Sequence, residues 1–228
     1  MEHITSANIA CGGHAGDEET MRLTIQQALR HNVALGAHPG YEDRANFGRI
    51  ELQLTAEEIA ASVERQIRAL DEVTQKLGAC IVHVKPHGAL YNQAARDRMI
   101  ARAIAEGVRR WRNDVILVGL ASSVMLQEFH AAGFPVAAEA FADRRYEPDG
   151  SLRSRRFHDA LLADPHQAAD QALGIVEHSS VVTSDGTTIA LNAQTLCLHG
   201  DTPGSPAIAE AIHGRLTLAN IQLVPLQP

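Results

Sequence analysis

Short apolar runs alternate with longer stretches of helical period along almost the whole chain. IAC (9–11), VALGA (33–37), IVHV (81–84), VILVGL (115–120), PVAAEAF (135–141), TLCLH (195–199) and IQLVPL (221–226) have strand length. Between them the 3.6-residue period returns. Met21, Ile25, Ala28 and Leu29 share one helical face and read as core. Thr55 and Glu58 have capping-box spacing ahead of a predicted helix over 55–77, and Gly78 offers a left-handed stop just beyond it. Asp164-Pro165 reads as N-cap and first turn of another helix, with Ala168, Ala172, Leu173 and Val176 on its apolar face. Two more helices are predicted at about 96–112 and 121–132. Residues 143–164 carry no clear period and read as a long functional loop.

Strands apolar enough to be covered on both faces, each followed by a helix, predict a parallel sheet in an α/β fold, doubly wound or closed into a barrel. No linker, repeat or low-complexity tract interrupts it, so a single domain over 1–228 is expected. An apolar fraction of 45% is ordinary for a globular core. The 20 basic residues against 27 acidic ones form no basic cluster interleaved with aromatics, which argues against a nucleic-acid surface. Cys11, Cys80 and Cys197 lie far apart without CxxC spacing, so neither a disulfide framework nor a zinc knuckle is indicated. With neither a membrane-length apolar run nor a leader pattern, the expectation is a cytoplasmic protein without membrane contact.

Reactive residues gather one to four positions after the predicted strands. His14 and Asp17 follow the first, His38 and Asp43 the second, Lys85 and His87 the third, Asp143 and Arg144 the fifth, and His199 and Asp201 the sixth. In a parallel α/β protein all these places lie at the same end of the strands, where sites are built. Glycines accompany them in CGGHAGD, GAHPGY, KPHGALY and LHGDTPG, which lets backbone amides approach a ligand and favours a small anionic molecule. Sharper templates are absent: no P-loop, no GxGxxG after a strand, no HExxH and no GxSxG. Cys11 lies three residues before His14, but at a strand end it reads as a buried thiol rather than a nucleophile.

SANIACGGHAGD, GAHPGYEDRANFGR, HVKPHGALYN, EAFADRRYEPDGSL and CLHGDTPG, in that order and spacing, resemble the motifs of the LamB/YcsF family. The resemblance implies a (β/α) barrel of about seven parallel strands, deacetylase/glycosidase-like. It also implies the activity of the A component of ATP-dependent 5-oxoprolinase. That enzyme opens the lactam of 5-oxoproline to L-glutamate, with ATP as co-substrate and the B and C subunits as partners. Carried over onto this chain, Lys85 and His87 would stabilise charge at the reacting group, and Asp17 or Asp201 would act as base, with His14 beside them as a catalytic candidate. Arg49 and Arg144 would grip a carboxylate or phosphate, and His14, His38 and His199 would orient water or bind a divalent metal through neutral imidazoles. Asn8, Tyr91, Asn92 and Asp143 complete the substrate-binding set. A divalent metal is left open, with no ligand set assigned.

Two departures stand out. The family's opening DLNADLGE-like strand and loop have no counterpart ahead of NIAC, so the first barrel strand is expected to be missing. CGGH stands where CGFH is common, which would loosen a pocket by removing an aromatic. Two other readings stay open from the sequence: a stand-alone metal-dependent amide or deacetylation hydrolase, and a non-catalytic regulatory subunit.

Overall fold

The computed structural model describes residues 1–227. The chain forms two compact units, one comprising Met1–Ala137 with the C-terminal residues from Pro225, the other Ala138–Val224.

The first unit holds β1 (Ser6–Ala10), α1 (Glu18–Arg30), β2 (Ala34–His38), α2 (Ala56–Lys76), β3 (Ile81–Val84), α3 (Gly88–Ala94), α4 (Arg98–Trp111), β4 (Ile116–Leu120) and α5 (Val124–Ala131). Its strands lie in the order β1-β2-β3-β4, and β1–β2, β2–β3 and β3–β4 pair in parallel. Every crossover therefore carries helix, as parallel pairing demands. β4 is buried along its whole length, which explains why VILVGL shows no alternation.

Helix ends follow the local chemistry. Thr55 and Glu58 close a reciprocal capping box at α2, and Gly78 lies just past its end at φ +66°. On α1, Met21, Ile25 and Ala28 are buried as expected, whereas Leu29 is exposed, one residue beyond the stripe that faces inward. The α3 turn escapes the sequence pattern because it is only seven residues long and follows the KPH loop directly.

β5 (Val136–Phe141) runs from the unit boundary into the second unit. There α6 (Pro165–His178), β6 (Ser180–Val182), β7 (Thr188–Ala190), β8 (Thr195–Cys197) and α7 (Ser205–Leu218) follow. β5 and β8 pair in parallel, and β6–β7 form an antiparallel hairpin that no alternation announces at three residues a strand. Asp164 caps α6 through the amides of His166 and Gln167. Ala168 and Ala172 face a core with Ile208, Ile212 and Leu216, and Leu173 packs on it partly buried, while Val176 is exposed. The 143–164 segment is irregular as expected, held by isolated bridges such as Arg144↔Leu161 and Tyr146↔Leu152. The expected strand at 221–226 is absent: IQLVPL makes no ladder. Its Ile221 and Leu223 cover the α6–α7 core, and Leu226 packs on Ile116, Val118 and Ala137 of the first unit. An apolar run without period reports burial, not the partner that provides it. Among the described residues, no helix is long and apolar enough to cross a membrane.

Helices α2 and α4 approach closely because of Gly107. A Cβ built there would stand 2.5 Å from the Ala60 carbonyl oxygen and 2.9 Å from Val63 Cβ. Alanine is favoured over glycine in a helix by about 1 kcal/mol. Overpacking against backbone costs about 1–3 kcal/mol and outweighs it. Gly107→Ala should therefore lower the urea midpoint; an unchanged or raised midpoint would show that the helices separate freely.

Candidate functional site

In the first unit, polar side chains occupy one face of β1–β3. The register sets Asn8 beside Gly36 and Gly36 beside His83. Side chains two residues apart share a face, so His38 follows Gly36 on that side and Lys85 follows His83. Gly36 is what makes the layer possible: a Cβ there would lie 2.0 Å from His83 Nε2. Across that gap His83 Nε2 meets Asn8 Oδ1 at 2.9 Å, leaving its buried Nδ1 without a hydrogen-bond partner. His83 is buried, and burial followed by the nearby Lys85 charge pushes its pKa down to about 4. It carries no charge at neutral pH. Sequence reasoning passed over His83 because its neighbours Ile81, Val82 and Val84 make it look like a core position.

Above this layer three imidazoles pack together. His38 Nδ1 lies 2.6 Å from the Lys85 carbonyl oxygen, His38 Nε2 lies 3.0 Å from His87 Nδ1, and His87 Nε2 lies 2.9 Å from the Phe47 carbonyl oxygen. His14 stacks on His87 with ring centroids 3.7 Å apart and planes within 4°. Burial, then the charges of Arg44 and Arg49, takes His14 down to about 4. Burial is also the largest influence on His38 and His87 and lowers both, while the hydrogen bonds to the Lys85 and Phe47 carbonyls act the other way. Lys85 is buried with its ammonium 5.6 Å from the centre of the Tyr91 ring, which is buried on α3. Gly40 and Gly48 leave the room: a Cβ on either would press on His14 at 2.8 Å.

Other expected residues of this unit lie at its edge. Asn8, Arg49 and Asn92 are exposed, and Arg49 sits 4.9 Å over the Phe47 ring. Asp17 is exposed and caps α1, accepting from the Thr20 amide at 2.8 Å and from the Thr20 hydroxyl. Those bonds, the hydroxyl's first, hold its carboxyl below the usual range, which makes it a weak proton acceptor. Cys11 is a buried thiol, pushed up to about 12 chiefly by burial, and its sulfur accepts from the His38 amide at 3.3 Å. Thiolate chemistry is thereby disfavoured. Beside Gly13, where an aromatic is common in the family, the space is already taken. Gln66 Oε1 would lie 2.4 Å from a Cβ, and the Gln66 amide clamps Gly40 through both its N–H and its carbonyl.

The second unit builds a different arrangement. Phe141 of β5 pairs with Cys197 of β8, so Asp143 and His199, each two residues later, emerge side by side. Asp143 is fully buried. Its carboxylate accepts from the His199 amide and Thr202 hydroxyl and meets His199 Nδ1 at 2.9 Å. Burial pushes its carboxyl up, but the bonds from His199 and Thr202 together hold it below the ordinary value. An imidazole oriented by a carboxylate at one nitrogen is the usual setting for proton transfer at the other. Arg144 is buried with bonds to the Ala160 and Arg153 carbonyls. Burial, then the Arg155 charge, draws its pKa down to about 10. Asp201 is exposed on the turn after β8.

A divalent metal fits poorly. Among the described residues no three His, Cys, Asp or Glu side chains converge on a point, and the His38 and His87 nitrogens are turned to each other and to carbonyls.

Known proteins are similar to this chain in sequence and fold. The LamB/YcsF family model matches residues 1–228. A protein from Chloroflexus aggregans named as the A component of 5-oxoprolinase is 49% identical over 97% of this chain and 88% of its own. A protein of the same name from Methylococcus capsulatus is 48% identical over 99% and 87%. The crystal structure of the Lactam Utilization Protein from Thermus thermophilus superposes with a TM-score of 0.92 at 40% identity, covering 99% of this chain and 90% of that one. The expected α/β barrel class agrees with that match.

Three substitutions probe this architecture. Gly36→Ala should destabilise by about 1–3 kcal/mol by driving a methyl into His83, and the companion His83→Ala should recover much of that loss in a double-mutant cycle. Additive losses would mean that the two positions do not interact. Asp143→Asn removes hydrogen bonds to a charged acceptor, worth about 1.5–3 kcal/mol each. Because the Asp143 carboxyl is depressed in the folded chain, its contribution is present above the unfolded pKa of about 3.9. It is lost as pH falls through the lower folded value. Urea melts of both chains should therefore differ at pH 7 and converge in acid; a constant difference would argue against the pairing.

Proposed function

The chain belongs to the LamB/YcsF family, and from that premise we propose that it is the A component of a 5-oxoprolinase. Working with the B and C subunits, it opens the lactam of 5-oxoproline to L-glutamate at the expense of ATP. The observation that carries this reading is the near-50% identity, over almost nine-tenths of their length, to proteins named for that activity.

The chemistry of the residues supports it. An unstrained five-membered lactam resists water, and phosphorylating its amide oxygen makes the ring carbon electrophilic. Water adds to that carbon, the ring nitrogen takes up a proton and leaves, and the acyl phosphate so formed is hydrolysed to glutamate and phosphate; negative charge rests on the phosphoryl oxygens throughout. Lys85 is buried, and a cation held in a dry setting stabilises such charge far better than one in bulk water. The imidazoles around it offer neutral polar edges, since burial keeps His14 and His83 uncharged. Asp17 has its carboxylate engaged in capping α1, and in the second unit the His199 imidazole, oriented by Asp143, is by itself set up for proton transfer. Arg49 carries a guanidinium suited to bidentate contact with carboxylate or phosphate, whereas Nε and Nη2 of Arg144 are already committed to the Ala160 and Arg153 carbonyls. Any contact this chain makes with ATP is made without a P-loop.

The test is reconstitution with the B and C subunits. Glutamate should appear only with ATP and all three subunits, and Lys85→Met should lower kcat about 10²-fold or more while the chain stays folded. Glutamate release no greater than from B and C alone, or an unaffected Lys85→Met, would overturn the assignment.

A further inference from the structure

Three contacts run from the Lys85 carbonyl through His38 and His87 to the Phe47 carbonyl, at 2.6, 3.0 and 2.9 Å. Each is a hydrogen bond only if one proton lies in it. Both ends are carbonyl oxygens, which only accept, and two neutral imidazoles bring one N–H each. Two protons cannot fill three contacts. If His38 donates to Lys85 and His87 to Phe47, two bare nitrogens face each other at 3.0 Å. If either ring takes the other tautomer, a bare nitrogen faces a carbonyl instead. One added proton completes all three bonds, and a second would set N–H against N–H between the rings.

We propose that His38 and His87 bind one proton as a unit, shared along their nitrogen–nitrogen contact, and never two. The groups facing the pair come from three segments. His14, and Cys11 at the His38 backbone amide, come from the loop after β1; Arg49, with Arg44 acting on His14, comes from the segment after β2; Lys85 comes from just past the end of β3. Burial and the cationic side chains oppose the proton. The two carbonyls favour it. His14 itself gains nothing comparable from charging, because its buried Nδ1 has no partner to donate to. The pair therefore takes its proton before His14 does, at a pH below that of an ordinary histidine, about 6.5.

In the hydrolysis proposed above, water adds OH to the lactam carbon and one proton must reach the departing nitrogen. A site with one vacancy offers that proton a place between the two events. This consequence rests on the 5-oxoprolinase reading; the proton count does not.

The experiment is nitrogen-15 NMR of the full chain labelled in its histidine rings, followed from pH 8 to the onset of acid unfolding, with His38→Gln to assign the pair. Expected is a single step in which the His38 and His87 signals move together. It should go from two protonated and two bare nitrogens to three and one, above the pH at which His14 titrates. In His38→Gln, His87 should lose that step. Two independent steps, uptake of two protons, titration after His14, or no uptake before unfolding would each overturn the proposal, whatever the fate of the activity assay.

Discussion

Contact between the His83 ring and Asn8 is possible only because the strand between them carries no side chain at Gly36. A parallel register places Gly36 between the two residues, and the imidazole lies across the gap. Any larger residue would meet that imidazole at 2.0 Å. The layer so formed is the floor under His38 and Lys85, one step further along the same face of β2 and β3. Gly40 and Gly48 then admit His14 against His87. Glycine here does less for turns than for close packing of rings.

The same economy explains how polar groups survive burial. Gln66 fills the space beside Gly13 and satisfies both backbone groups of Gly40. Asp143 is fully buried yet receives donors from His199 and Thr202, so its charge is compensated rather than stranded. Low proton affinity at His14 and His83 follows from burial, and it keeps these rings available as neutral hydrogen-bonding edges at physiological pH. A cation such as Lys85 is thus surrounded by groups that polarise without competing for its charge.

Much of this is legible in the sequence, for identifiable reasons. Capping signals are local, so Thr55–Glu58, Gly78 and Asp164-Pro165 can be read directly. The grouping of reactive residues after strands follows from parallel topology and marks His14, His38, Lys85, His87, Asp143 and His199. What stays hidden depends on register or on long-range packing. The pairing of Asp143 with His199 needs the Phe141↔Cys197 alignment, 56 residues apart in the chain. His83 looks apolar by association, the β6–β7 hairpin is too short for a period, and 221–226 reads as a strand although its burial comes from packing without a ladder. Asp17, marked by its position after a strand, also caps α1, which its place ahead of a helical stretch does not by itself reveal.

If the chain opens 5-oxoproline, a small lactam acid must bind at the His38–His87–Lys85 cluster. Chemical-shift mapping of the labelled full chain during titration with 5-oxoproline examines that requirement without depending on turnover. Expected are saturable shifts concentrated on His14, His38, Lys85, His87 and their backbone neighbours. Saturable shifts confined to residues away from these strand ends, with this cluster unmoved, would refute it.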